Sequence, residues 1–173
     1  MGDCPVIRMF LGGERSGKSA LAQRAFLADP GPHLVVATGR ALDPGFRAQI
    51  LAHRQSRPAG LRVAEAGADL PEVLAKGLEN ARAVLVDSLD FWLYACSGRE
   101  EERTAALLAV LDKAGDAAVT LVSCEVGLGP VAADAATRAF VRSLGGLNQA
   151  LSEKSDAMFL AVAGRALSLP VAP

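Results

Sequence analysis

The sequence predicts one α/β domain built on a mostly parallel sheet flanked by helices, and three features predict it. Apolar runs of strand length recur at Val6–Leu11, His33–Thr38, Ala83–Asp87, Val119–Ser123 and Ala157–Ala163. Most are continuous rather than alternating, which marks strands covered on both faces. Helix-forming stretches lie between them, at Ser19–Leu27, Pro44–Gln55, Leu70–Asn80, Arg103–Ala114 and Ala132–Ser155, so strand and helix alternate along the chain. Finally, Gly12-Gly13-Glu14-Arg15-Ser16-Gly17-Lys18-Ser19 stands between the first strand and the first helix. That is where a glycine-rich loop can turn its N–H groups, and the positive end of a new helix, toward phosphate.

The first strand and first helix gain their meaning from that loop. It completes the pattern G-x-x-x-x-G-K-[ST], in which the lysine neutralises β/γ-phosphate oxygens and the final hydroxyl holds Mg²⁺. Lys18 and Ser19 take those places, and the chain is expected to bind a nucleoside triphosphate within a phosphate-loop, RecA-like fold. The turn Asp29-Pro30-Gly31-Pro32 leads into the second strand, and His33 beside Pro32 reads as a structural or exposed histidine. The helix that follows ends in His53-Arg54-Gln55-Ser56-Arg57-Pro58, dense in cations and closed by proline. An imidazole there can attack phosphorus while Arg54 and Arg57 stabilise the gathering charge. It can equally be a surface histidine well placed on the helix dipole.

The strand Ala83–Asp87 ends in a carboxylate at the edge where Lys18 and Ser19 lie. Asp87 is therefore the candidate second oxygen donor to Mg²⁺ bound with the phosphates, or else a cap for a helix over Leu89–Ala95. Asp90 can share either task. Ser97–Glu102 reads as a connection, and Arg99–Arg103 as a solvated helix start. After the strand Val119–Ser123 comes Glu125-Val126-Gly127-Leu128-Gly129, where Glu125 either positions substrate or metal or shapes a glycine-rich turn. The tail Leu167–Pro173, with its prolines, reads as a frayed or edge segment.

Size and composition bound the rest. The 173 residues suffice for one buried core but not comfortably for two domains, so a single domain over 1–173 is expected. A net charge of −1 leaves no basic excess to hold nucleic acid by its phosphates. Cys4, Cys96 and Cys124 are odd in number and widely spaced, which suits reduced thiols in a cytoplasmic protein rather than a metal site. Every apolar run stops well short of the roughly 18 residues of a membrane span.

In order along nearly the whole chain, Gly12–Ser19, Ala37-Thr38, Asp43, His53–Pro58, Glu65, Val86-Asp87, Glu125–Gly129 and Leu147-Asn148-Gln149 together resemble the bifunctional adenosylcobinamide kinase / adenosylcobinamide-phosphate guanylyltransferase family of cobalamin biosynthesis. The resemblance implies phosphorylation of adenosylcobinamide with ATP or GTP, followed by transfer of GMP from GTP through a GMP-histidine. It implies His53 as the nucleotide carrier and Lys18 as its catalytic companion. Nucleotide contacts are implied at Gly12 through Ser19, Ala37, Thr38, Gly39, Arg54, Gln55, Ser56, Arg57, Glu65 and Asp87, with Ser19 and Asp87 serving Mg²⁺. Glu65 suits hydrogen bonding to a guanine edge. A homo-oligomer, a trimer by resemblance, is implied as well. The chain departs from the family pattern at Cys124 (usually Asn), Asp90 (Thr), Gln49 (Arg) and Ala132 (Pro), and over Phe140–Gly146. These positions touch the substrate side, whereas His53, Arg57 and Glu65 are in place. The competing expectations are a generic small-molecule kinase that leaves His53 idle and a nucleotide-binding protein without turnover.

Overall fold

The computed structural model describes residues 7–38 and 60–170. The chain runs β1 (Ile7–Gly12), α1 (Lys18–Ala28), β2 (His33–Ala37), β3 (Arg62–Glu65), α2 (Leu70–Leu78), β4 (Ala83–Asp87), α3 (Leu89–Ala95), α4 (Glu100–Leu111), β5 (Ala118–Cys124), α5 (Ala135–Lys154), β6 (Ala157–Val162) and β7 (Arg165–Leu169). The strands form one sheet in the order β3-β2-β4-β5-β1-β6-β7. All neighbours pair parallel except β6 and β7. One strand, β5, separates the strand before the phosphate loop from the strand that ends in Asp87, which is the RecA-like arrangement.

The continuous apolar runs are explained by cover on both faces. Met9, Leu11, Leu34, Val36, Val84, Val86, Val119 and Leu121 face a core shared with Leu70 and Leu74 of α2, Leu89, Trp92 and Leu93 of α3, Leu107 and Leu111 of α4, and Leu144, Leu147 and Leu151 of α5. The intervening residues Phe10, Val35, Leu85 and Val122 point the other way, onto Ala22 and Phe26 of α1. Each strand residue alternates sides, and each side has an apolar helix face spaced at i, i+3 or i+4 to meet it. Full burial of a side chain such as Phe26 or Leu144 stabilises the fold by about 1.5–3 kcal/mol.

All five predicted strands appear within a residue of their expected limits. The sheet also holds two that the apolar-run reading did not separate out. Arg62-Val63-Ala64-Glu65 makes β3, an edge strand with three of its four residues exposed, so it carries no continuous apolar signal. Arg165–Leu169 makes β7, the opposite, antiparallel edge, where only the last residues had been expected as an edge segment. Helix α4 starts at Glu100, because Glu100, Glu101 and Glu102 fill its first turn and favour the positive end of its dipole; the connection is shorter than expected. The expected helix Pro44–Gln55 lies outside the described residues. Among the described residues no helix is long and apolar enough to cross a membrane.

Candidate nucleotide site

The phosphate loop leaves β1 at the middle of the sheet, where Gly12 is level with Cys124 of β5 and Ala161 of β6. A Cβ on Gly12 would stand 2.4 Å from Ser16 Oγ and 2.7 Å from Ala161 O, so the backbone can turn there only without a side chain. Gly17 adopts φ 90°, the left-handed region, and its Cβ would meet Gly164 Cα at 2.9 Å. Arg15 is left-handed too, at φ 53°, and such turns gather successive N–H groups toward one point. Helix α1 then opens at Lys18 with no side-chain cap and no acidic residue in its first turn. Its first N–H groups and its positive end therefore face the loop unopposed.

Two polar side chains in the loop fit phosphate. Ser16 is buried, and its Oγ has no hydrogen-bond partner among the described residues, a costly state that an oxygen-rich ligand relieves. Lys18 Nζ donates to Gly13 O at 3.2 Å, which holds the ammonium over the loop.

Asp87 closes β4, level with Ala37 of β2, which is itself level with Glu65 of β3. Ser19 Oγ donates to Asp87 Oδ1 at 3.1 Å. The expected pairing of the loop hydroxyl with a strand-ending carboxylate is thus formed. The alternative role of Asp87 as a helix cap is not taken, since Ser88 occupies the N-cap position of α3. A hydroxyl beside a carboxylate is the hard-oxygen chemistry that Mg²⁺ favours. Among the described residues no group of three or more His, Cys, Asp or Glu side chains is gathered for a metal, so these two would hold a cation in company with phosphate oxygens.

The corner after Asp87 is braced. Thr38 N donates to Asp87 O at 3.2 Å, Ser88 N donates to Thr38 Oγ1 at 2.9 Å, and Thr38 Oγ1 donates to Ser88 O. Thr38 is buried, so its hydroxyl serves the β2–β4 edge. Glu125 is resolved the same way: its N donates to Gly12 O at 3.1 Å and its carboxylate accepts from Gly127 N at 2.7 Å. It shapes the glycine-rich turn beside the loop.

Three sets of contacts were missed in sequence. Asn148, buried on α5, accepts from Ser123 Oγ at 2.7 Å and donates through Nδ2 to Cys124 O at 3.1 Å, fixing the exit of β5. The β6–β7 turn reaches the loop, where Gly164 N donates to Ser16 O at 2.8 Å. Cys124 interacts both with Asp90 and with Lys18. Burial, above all, pushes the Cys124 thiol up to about 11; the Asp90 charge adds to this and Lys18 opposes it. Asn148, Cys124 and Asp90 had each been singled out in sequence, but no local pattern announces these pairings or the reach of the β6–β7 turn.

The structure therefore gathers Gly12 through Ser19, Ala37, Thr38, Glu65 and Asp87 along one edge of the sheet. Gly39, Asp43, Gln49, His53, Arg54, Gln55, Ser56 and Arg57 lie outside the described residues.

Comparison with known proteins bears on this site. The model of a family described as cobinamide kinase / cobinamide phosphate guanyltransferase matches residues 8–169. The bifunctional adenosylcobalamin biosynthesis protein CobP of Pseudomonas aeruginosa is 34% identical over 171 residues, covering 95% of this chain and 98% of that protein. The corresponding CobU of Salmonella typhimurium is 31% identical over 170 residues, covering 88% and 93%. Among solved structures, a prototypical ATPase of the type III secretion system of pathogenic bacteria superposes with a TM-score of 0.57 at 15% identity. That match covers 95% of this chain and 57% of the ATPase, and it speaks to the fold alone.

Proposed function

Since the chain belongs to the cobinamide kinase / cobinamide phosphate guanyltransferase family, we propose that it carries out both reactions of that name: it phosphorylates the aminopropanol hydroxyl of adenosylcobinamide with ATP or GTP, then transfers GMP from GTP onto the new phosphate. The observation that carries this reading is the phosphate loop joined to Asp87 through Ser19 at 3.1 Å, in a chain that matches the family over residues 8–169.

In the first step the substrate oxygen attacks the terminal phosphorus, and the bond to the β-phosphate oxygen breaks. The loop N–H groups, the start of α1 and Lys18 meet the charge on the oxygens. Mg²⁺, when bound at Ser19 and Asp87, supplies further charge neutralisation. In the second step a His53 nitrogen attacks the α-phosphorus of GTP and pyrophosphate leaves. The phosphate of the corrinoid then displaces histidine to give adenosylcobinamide-GDP. Splitting one transfer between two polyanions into two displacements gives each a well-placed partner. Arg54, Gln55, Ser56 and Arg57 are the proposed escorts of the phosphates, Gly39 a backbone contact, and Glu65 the acceptor for the guanine edge. Adenosylcobinamide and the two triphosphates are the proposed small-molecule partners. The working form is proposed to be a cytoplasmic homo-oligomer, a trimer, which sedimentation equilibrium measures directly.

The test is incubation with α-labelled GTP and Mg²⁺ followed by peptide mass analysis. An acid-labile, base-stable GMP adduct on the peptide containing His53 is expected. In His53→Ala the adduct and GMP transfer vanish while ATP-dependent phosphorylation persists. An unlabelled wild-type protein, or full GMP transfer in His53→Ala, overturns the histidine route.

A further inference from the structure

Asp90 stands in the first turn of α3, three positions past Asp87. Leu89, Trp92 and Leu93 of the same helix are almost wholly buried, and the Thr38–Ser88 hydrogen bonds fix the corner before it. The carboxylate is thus carried on a rigid mount. Its Oδ1 is buried and has no hydrogen-bond partner among the described residues; the carboxylate's interaction with the Cys124 thiol is with a weak donor, so that oxygen is costly to keep. The charged and titratable groups that face it across the site are the Cys124 thiol of β5 and, through that thiol, the Lys18 ammonium of α1. The orphaned oxygen's carboxylate therefore shares a neighbour, the Cys124 thiol, with the lysine that accompanies the transferred phosphoryl group.

Asp87 and Glu125, the acids at the ends of β4 and β5 beside the loop, are committed. Asp87 Oδ1 accepts from Ser19, and Glu125 accepts from Gly127 N. Cys124, raised by burial to about 11, stays a thiol at neutral pH and cannot take a proton. We propose that Asp90 is a catalytic residue of the phosphorylation step, its Oδ1 taking the hydrogen bond and then the proton of the attacking alcohol. The inference rests on the kinase half of the function proposed above. As the alcohol oxygen bonds to the terminal phosphorus, its O–H bond breaks toward Asp90, and the electron pair of the breaking P–O bond passes to the β-phosphate oxygen. The carboxylic acid formed releases its proton to water after product leaves. A base held at the attacking oxygen contributes about 10²–10⁴-fold.

The experiment measures ATP-dependent phosphorylation of adenosylcobinamide and, separately, GMP transfer from GTP onto preformed adenosylcobinamide phosphate, in wild type, Asp90→Asn and Asp90→Glu. In Asp90→Asn the phosphorylation kcat is expected to fall about 100-fold or more, with KM for ATP within about threefold and GMP transfer retained. Asp90→Glu should recover part of the lost kcat, which a purely structural role would not give. Asp90→Ser serves in place of the amide should that variant fail to fold. The proposal is overturned if Asp90→Asn phosphorylates within about threefold of wild type, if it slows both transfers alike, or if only KM rises. A wild-type protein that transfers GMP but does not phosphorylate overturns this inference and leaves the guanylyl half standing. One that does neither removes the underlying reading along with it.

Discussion

At the scale of single residues, the two described cysteines set the response to alkali. Burial pushes the thiols of Cys96 and Cys124 from 9.0 up to about 11. The protonated thiol is what the folded state prefers, so this stability is fully present below pH 9 and is lost as pH rises toward 11. The loss is roughly 1.4 kcal/mol per pH unit for each thiol in that window. Thermal midpoints should be level between pH 7 and 8.5 and fall from there to pH 10.5, and the fall should shrink in Cys96→Ala or Cys124→Ala. The pairing of Ser19 with Asp87 makes a second prediction. Ser19→Ala leaves the fold intact, because Ser19 is only partly buried, but should weaken Mg²⁺-dependent GTP binding by about tenfold or more in a titration. Asp87 was legible in sequence because an acid that ends an apolar run announces its place on a sheet edge. Asn148 was not, because its partners Ser123 and Cys124 are 24–25 residues away and only the folded chain brings them together.

Among elements, α2 and α4 are tied by one arginine. Arg103 Nε donates to Ala68 O at 2.8 Å and Nη1 to Glu72 Oε1 at 2.8 Å, while Nη2 closes the second arm of the fork on Glu72 Oε2. The two partners are unequal, since the Arg103 side chain is 9% exposed and that of Glu72 61%. Arg103→Ala removes a buried fork and strands the Ala68 carbonyl, and should cost about 2 kcal/mol or more. Glu72→Gln leaves a partner that water can replace and should cost less than about 1 kcal/mol. Chemical denaturation of both variants checks the ordering, and equal losses would contradict it. Arg99–Arg103 was legible as a helix start, and the connection Ser97–Glu102 was drawn too long because a glutamate-rich first turn has no apolar periodicity of its own. Both edge strands were likewise faint, since a strand with one neighbour and an exposed surface has no reason to be continuously apolar.

For the whole molecule, the two-sided cover of the sheet was legible, because the central strands are mostly apolar at successive positions and a layered α/β fold buries both faces. The order β3-β2-β4-β5-β1-β6-β7 was not, since which strand lies beside which is decided by packing across the entire chain. That order places the phosphate loop against the turn between β6 and β7, through Gly164 N and Ser16 O. Gly17→Ala should therefore fail twice, by strain at φ 90° and by contact with Gly164 Cα at 2.9 Å. Binding of a fluorescent GTP analogue should drop at least about tenfold, while Gly129→Ala, whose Cβ would meet nothing within 4 Å, should bind as wild type does. The same order has a consequence for biosynthesis. Strand β1 is the first described strand to leave the ribosome, yet both its flanking strands, β5 and β6, come from far later in the chain. At ordinary translation rates roughly ten seconds or more pass before they follow. A nascent chain that has not yet reached β5 and β6 therefore carries its phosphate loop without the walls that shape it.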